Sequence, residues 1–96
     1  MRLLIVDDEK LIRDVIKTYA ETENYETVEA ENGLKALEIV KNKKIDLIVL
    51  DIMMPKLDGI ETANIIRKDK SIPIIMLSAK SEDYDKISGL NNTLMF

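Results

Sequence analysis

The sequence of 96 residues contains no cysteine and no histidine. Without cysteine the chain has no disulfide bonds and no thiolate metal sites, and without histidine it lacks the commonest general base and transition-metal ligand. Chemistry at a functional site therefore falls to carboxylates, which bind hard cations in proteins.

The sequence also lacks an excess of basic charge and a long hydrophobic run. It has 14 Lys and Arg against 18 Asp and Glu, with a formal net charge of −4, so we do not expect direct binding to nucleic acid. The apolar stretch in "MRLLIVDDEK" is too short for a signal sequence or a membrane span, so we expect no membrane association and a cytoplasmic location. The length predicts one domain, residues 1–96, with no output domain.

Short apolar segments alternate with segments of helical periodicity along the chain. The predicted strands are "RLLIV" (2–6), "YETVEA" (25–30), "IDLIVL" (45–50) and "PIIMLS" (73–78). Apolar and polar residues do not alternate along "IDLIVL", which favours a central parallel strand. The glutamates of "YETVEA" favour an edge strand.

Amphipathic helices are predicted between these strands. The first has apolar residues at helical spacing (Leu11, Ile12, Val15, Ile16, Tyr19, Ala20), and the second, from Gly33 to about Lys41, has Leu34, Leu37 and Val40 on its inner face. Asp58 and Glu61 have capping-box spacing, so a third helix should begin at Gly59. Ser81 is a good N-cap for a fourth helix.

Strands separated by helices predict an α/β fold, a doubly wound parallel sheet with right-handed crossovers and helices on both faces. Ligands bind such sheets at the carboxyl ends of the strands. Asp7 and Asp8 follow the first predicted strand, Asp51 the third, and Ser78 ends the fourth. We therefore expect these side chains to converge.

Three neighbouring carboxylates repel one another unless a cation is present. Mg2+ suits such a set, because it takes oxygen ligands and binds through carboxylates together with phosphate oxygens. An aspartate in this setting can also act as a nucleophile toward phosphorus and form an acyl phosphate. Alone, Asp7 and Asp8 would be interpreted as a helix N-cap and its neighbour.

"LLIVDDEKLIRD", "LIVLDIMMPKLDG" and "IPIIMLSA" together resemble the receiver domain of two-component response regulators, over residues 2 to about 90. The resemblance implies a flavodoxin-like fold and a phosphoryl group received from a sensor histidine kinase. It makes Asp51 the phosphoacceptor and Ser78 the switch hydroxyl, with Ala79 beside it. It also implies a Mg2+ site formed by Asp7, Asp8, Asp51 and the backbone carbonyl of Met53.

The sequence departs from the family pattern after the fourth predicted helix. Receiver domains continue with a fifth strand ending in Lys-Pro and a fifth helix, whereas this chain reads "SGLNNTLMF", with no lysine after Lys86. No residue therefore matches the phosphate-pairing lysine. We expect a C-terminally truncated receiver domain with strand order 2-1-3-4 and a missing or stunted fifth strand and helix. Phosphorylation should then be slow and weakly coupled to conformation.

Other functions stay open at this point. A remnant unable to switch, acting only in protein interaction or oligomerisation, is one alternative. A haloacid-dehalogenase-type enzyme is another, but that class needs an acid two positions after the nucleophile, where this chain has Met53. An uncovered fourth strand would offer unpaired backbone groups to another chain. We therefore expect a homodimer through that strand or through an exchanged C-terminal segment, although "TLMF" (93–96) could also pair with it.

Overall fold

Five parallel strands form one sheet in the order β2-β1-β3-β4-β5. The computed structural model describes residues 1–54 and 57–77 and the backbone of 93–95. The elements are β1 (Arg2–Val6), α1 (Lys10–Thr22), β2 (Glu26–Ala30), α2 (Gly33–Asn42), β3 (Leu47–Asp51), α3 (Gly59–Asp69), β4 (Ile74–Leu77) and β5 (Thr93–Met95). The predicted doubly wound sheet, with β2 at an edge, is confirmed. The predicted helix from Ser81 lies outside the described residues.

Alternate residues of the central strands point to opposite faces of the sheet. On one face, Leu4 and Val6 of β1 join Ile48 and Leu50 of β3 in a fully buried core beneath α2 and α3. On the other face, Leu3 and Ile5 pack with Ala20 of α1. Helices thus cover both faces, as the alternation of strands and helices predicted.

The predicted amphipathic helix is present as α1, but its apolar positions are not all buried. Ala20 is buried, but Leu11, Val15 and Tyr19 expose 77%, 55% and 72% of their surface. Residues 11, 15 and 19 form one stripe along the helix, and residues 12, 16 and 20 form a second stripe about 100° around it. A single helix on a sheet buries one such stripe. Here the second stripe faces the sheet, with Ala20 buried and Ile16 partly buried, while Ile12 at its start is 39% exposed.

The prediction that Leu34 lies on the inner face of α2 is wrong, because this residue is 57% exposed. The inner face of α2 is formed instead by Ala36 and Val40, with Leu37 partly buried against the same core. Leu34 lies near the start of α2, where Gly33 makes the close contact with α3.

The fifth strand is stunted, as predicted, at three residues. Thr93, Leu94 and Met95 pair with Ile74, Ile75 and Met76 in parallel register. The outer edge of β4 is therefore paired within the chain. Of the two ways of covering that edge that the sequence suggested, the structure shows pairing within the chain, by residues 93–95.

The start of α3 is fixed from both sides. Asp58 caps the helix, its Oδ1 accepting a hydrogen bond from the Glu61 backbone N–H at 2.9 Å, which confirms the predicted cap. Gly59 lies directly against β3, and a Cβ added at Gly59 would meet the Asp51 carbonyl oxygen and approach Ile52 Cα to 2.7 Å. Only a residue without a side chain allows this helix to begin where the third strand ends.

We predict that Gly59→Ala lowers the free energy of unfolding by about 1–3 kcal/mol, because overpacking forces a backbone shift at Asp51 and Ile52. Urea denaturation measures this change. The matched control is Asn64→Ala at an exposed position of the same helix. Equal stability of the two variants would show that the contact of Gly59 with β3 is not a constraint.

Candidate metal site

The pairing of β1 with β3 brings the predicted acids together. Val6, the last residue of β1, is paired with Leu50, so Asp7 and Asp51 leave the sheet side by side at its carboxyl edge. One carboxylate oxygen from each of Asp7, Asp8 and Asp51 lies within 4.8 Å of the others. The predicted convergence of these three side chains is therefore present in the structure.

Asp7 is the most tightly held of the three acids. It is 5% exposed, and its backbone N–H donates to the carbonyl oxygen of Ala30 at the end of β2 over 3.1 Å. Its Oδ1 accepts a hydrogen bond from the backbone N–H of Glu9 at 2.9 Å. Arg13 Nη1 donates to its backbone carbonyl oxygen at 2.7 Å. The second carboxylate oxygen of Asp7 can then face Asp8 and Asp51.

The alternative interpretation of Asp7 and Asp8 as helix caps does not match the structure. The N-cap of α1 is Glu9, and it makes no side-chain capping hydrogen bond. Asp8 lies before the helix and is exposed. The two acids are thus placed at the carboxyl edge of the sheet rather than used to start α1.

Asp51 ends β3 and is partly buried. Its Oδ1 accepts a hydrogen bond from the backbone N–H of Met53 at 3.2 Å. The adjoining backbone is fixed as well, since Ile52 N–H donates to the carbonyl of Leu77 at 3.1 Å and Gly59 N–H donates to the carbonyl of Ile52 at 2.9 Å. The carboxylate therefore projects from a rigid strand end.

Burial and mutual repulsion make it unfavourable for all three carboxylates to be ionised at once. Burial, followed by the nearby charge of Asp7, raises the pKa of Asp51 to about 6. Burial likewise raises the pKa of Asp7, although the hydrogen bond from Glu9 works in the opposite direction. A divalent cation would remove this repulsion. The donor set, three carboxylates and exposed backbone nearby, fits the oxygen coordination that Mg2+ prefers.

The remaining predicted residues divide into two groups. Met53 is 56% exposed, and its backbone N–H donates to Asp51 Oδ1, which places the backbone of this residue next to the acidic cluster. Ser78 and Ala79 lie outside the described residues.

Sequence reasoning missed Arg13 and Glu29. Arg13 Nε donates to Glu29 Oε1 on β2 at 3.0 Å while its Nη1 holds the Asp7 carbonyl. The two residues are 16 positions apart, and neither helical nor strand periodicity relates them. Only the parallel pairing of β1 with β2, which brings Ala30 beside Val6, could have indicated their proximity.

Comparison with known protein families identifies the architecture. The family model of the response regulator receiver domain matches residues 3–95. The chain belongs to this family. Among the described residues of this receiver domain, no helix is long and apolar enough to cross a membrane.

Relatives of this receiver domain are longer proteins. It is 48% identical over 88 residues to the transcriptional regulatory protein ResD of Bacillus subtilis, covering 92% of this chain and 37% of that protein. It is 43% identical over 90 residues to SrrA of Staphylococcus aureus, covering 94% of this chain and 37% of the relative. The chain thus spans little more than a third of the curated relatives it matches.

Solved receiver structures superpose closely on this one. TrrA of Thermotoga maritima in complex with Mg2+-BeF has a TM-score of 0.87 at 39% identity, covering 99% of this chain and 85% of TrrA. TrrA in complex with the histidine kinase ThkA has a TM-score of 0.85 at 39% identity, covering 99% of this chain and 84% of that chain. The flavodoxin-like fold expected from the sequence is confirmed.

The raised pKa values predict how stability changes with pH in the absence of divalent cations. The folded-state pKa of Asp51 is about 6, above its unfolded value. The folded state therefore holds the Asp51 proton more tightly than the unfolded state does. The resulting stabilisation of the fold is complete below about pH 4 and is lost as the pH rises through 6. Asp51→Asn removes the charge and should stabilise the metal-free protein at pH 7 by about 1–2 kcal/mol, a range that allows for solvent screening of the partly exposed group.

Urea denaturation in a chelating buffer at pH 5 and pH 7 tests this expectation. Asp58→Asn, at an exposed helix cap that asparagine can also provide, is the matched control. The prediction fails when Asp51→Asn leaves the stability at pH 7 equal to that of the wild type.

Proposed function

We propose that this receiver domain takes a phosphoryl group from a sensor histidine kinase onto Asp51, with Mg2+ bound at the same site. The observation that supports this function most strongly is the approach of the Asp7, Asp8 and Asp51 carboxylate oxygens to within 4.8 Å at the carboxyl edge of the sheet. The similarity to TrrA supports both parts of the proposal, because that protein has been solved with Mg2+-BeF and with the histidine kinase ThkA.

The proposed ligands of Mg2+ are the carboxylates of Asp7, Asp8 and Asp51 and the backbone carbonyl of Met53. The bound ion supplies positive charge that neutralises the acids and the phosphoryl oxygens. Because the Met53 N–H donates to Asp51 Oδ1, we assign Oδ2 as the oxygen that bonds to phosphorus. Asp7 and Asp8, in this assignment, bind metal and are not phosphorylated.

The transfer itself needs no general base. An Asp51 carboxylate oxygen forms a bond to phosphorus, the bond from phosphorus to the kinase imidazole nitrogen breaks, and the imidazole leaves with that electron pair. The product is an aspartyl phosphate. Since phosphoryl transfer depends mainly on positioning and charge neutralisation, the absence of histidine from this chain is no obstacle.

We further propose that Ser78 is the switch hydroxyl. The domain would act in cytoplasmic signal transduction as a phosphoprotein. Direct nucleic-acid binding by residues 1–96 is not part of this proposal, given the net charge of −4.

The alternative of an interaction module without phosphoacceptor function is less well supported. Such a module would not require three acids at the carboxyl edge, a buried Asp7 or a rigidly held Asp51. These features are costly for the metal-free fold, which favours a domain that binds a cation.

Incubation with a small-molecule phosphodonor and Mg2+, followed by intact mass measurement, tests the phosphoacceptor role. We expect a mass increment of one phosphoryl group that hydroxylamine removes. Asp51→Asn should abolish the increment, since asparagine is not a nucleophile, and Asp8→Ala should slow its appearance by about 10-fold or more through weaker Mg2+ binding. Asp58→Asn, the exposed cap variant, should behave like the wild type. An increment that persists in Asp51→Asn would show that another residue is the nucleophile.

A homodimer also remains a proposal. The unpaired β4 edge that first suggested it is covered by Thr93–Met95 in the structure. The exposed apolar stripe of α1, residues Leu11, Val15 and Tyr19, now supports self-association instead. Light scattering at micromolar concentration should give the mass of a dimer, and a monodisperse monomer would contradict the proposal.

A further inference from the structure

The guanidinium of Arg13 connects three segments at the acidic site. Arg13 lies in the first turns of α1, its Nη1 donates to the carbonyl oxygen of Asp7 at 2.7 Å, and its Nε donates to Glu29 Oε1 on β2 at 3.0 Å. The arginine side chain is only 14% exposed. Lys17, one turn further along α1, approaches the other oxygen of Glu29 at 3.8 Å.

The contact of Arg13 is with the backbone of Asp7 rather than with its carboxylate. An arginine paired with the carboxylates would compete with a bound cation, because its five donors match carboxylate geometry. The ion pair with Glu29 holds the Nε side of the guanidinium against β2. The three carboxylates are thus left available, although a cationic side chain lies next to them.

The Asp7 carbonyl belongs to the peptide unit that joins Asp7 to Asp8. Because a peptide unit is planar, the direction of this carbonyl also sets the orientation of the backbone entering Asp8. The peptide unit before Asp7 is held separately, because the Asp7 N–H donates to the carbonyl oxygen of Ala30. Arg13 therefore fixes the backbone unit that joins two of the three acids.

We propose that Arg13, held in place by Glu29, is a positioning residue for the metal site. It acts through the backbone of Asp7 and orients the carboxylates of Asp7 and Asp8 for a divalent cation without touching the cation. This inference rests on the proposed role of those two acids in binding Mg2+. Glu29 contributes by keeping the guanidinium on the carbonyl side of Asp7.

The chain contains a matched control for a purely structural role. Arg2 also connects β1 with β2, through an ion pair with Glu26 at 3.7 Å, but it does so at the opposite end of the strands. Removing Arg2 breaks a link between the same two strands far from the acids. A structural role alone would make the loss of either arginine equivalent for metal binding.

The experiment measures the Mg2+ dissociation constant by calorimetric titration, and the stability of each variant by urea denaturation. Arg13→Ala should raise the dissociation constant about 10-fold, the size expected when a residue that orients a ligand is lost. Arg2→Ala should leave the constant unchanged whatever it does to stability. Glu29→Ala should weaken Mg2+ binding, and Glu29→Gln should restore most of it, because the amide oxygen can still accept the Arg13 Nε–H.

Equal Mg2+ affinity of Arg13→Ala and Arg2→Ala would overturn the inference. If Arg13→Ala does not fold, the comparison of Glu29→Ala with Glu29→Gln decides. Wild-type Mg2+ affinity in Glu29→Ala would then overturn the inference. A wild-type protein that binds no Mg2+ would overturn the proposed metal site first, and the inference with it. Wild-type binding with no difference among the variants would leave the proposed function intact and remove only the role of Arg13.

Discussion

The parallel pairing of β1 with β3 is the constraint on which the rest of the site depends. With Val6 opposite Leu50, the chain leaves both strands at the same level, and Asp7 and Asp51 become neighbours. A slip by one residue would turn the side chains of β3 to the opposite face, and a slip by two would separate the acids by about 7 Å more. The fully buried residues Leu4, Ile48 and Leu50 oppose a slip by one residue, because it would turn those of β3 away from the core.

The same pairing destabilises the metal-free domain through repulsion among the three carboxylates. Burial and the charge of Asp7 raise the pKa of Asp51 to about 6, so this edge of the sheet resists holding three charges at neutral pH. Close backbone contacts work against that repulsion. Gly59 holds α3 against the end of β3, and Arg13 holds the turn that follows β1. The fold thus keeps the acids together despite their repulsion, which the proposed cation would offset.

Much of the fold and the core of the site could be predicted from sequence. The uninterrupted apolar run of β3 indicated a central strand, and the cap at Asp58 indicated where α3 begins. The acids at the strand ends followed from the rule that parallel strands present their carboxyl ends at one edge. These features depend on local patterns that physical chemistry relates directly to structure.

Other features could not be predicted because they depend on how elements dock. Periodicity showed that α1 has apolar positions, but two adjacent stripes satisfied it, and only packing against β1 selects the one containing Ala20. Leu34 was assigned to the wrong face for a similar reason, since the approach of Gly33 to α3 sets the rotation of α2. The link between Arg13 and Glu29 joins residues that no local spacing relates. The sequence did suggest that residues 93–95 could pair with β4, but local patterns could not decide between this pairing and association with a second chain.

The central claim, that the carboxyl edge of β1 and β3 is one divalent-cation site, is tested most directly by titrating the 15N-labelled protein with Mn2+, which is paramagnetic and shares the ligand preferences of Mg2+. The account predicts that the amide resonances of residues 7–9 and 51–53 broaden first, and that excess Mg2+ restores them. Broadening centred instead on exposed acids elsewhere, such as Glu21 and Glu23 at the end of α1, would contradict it.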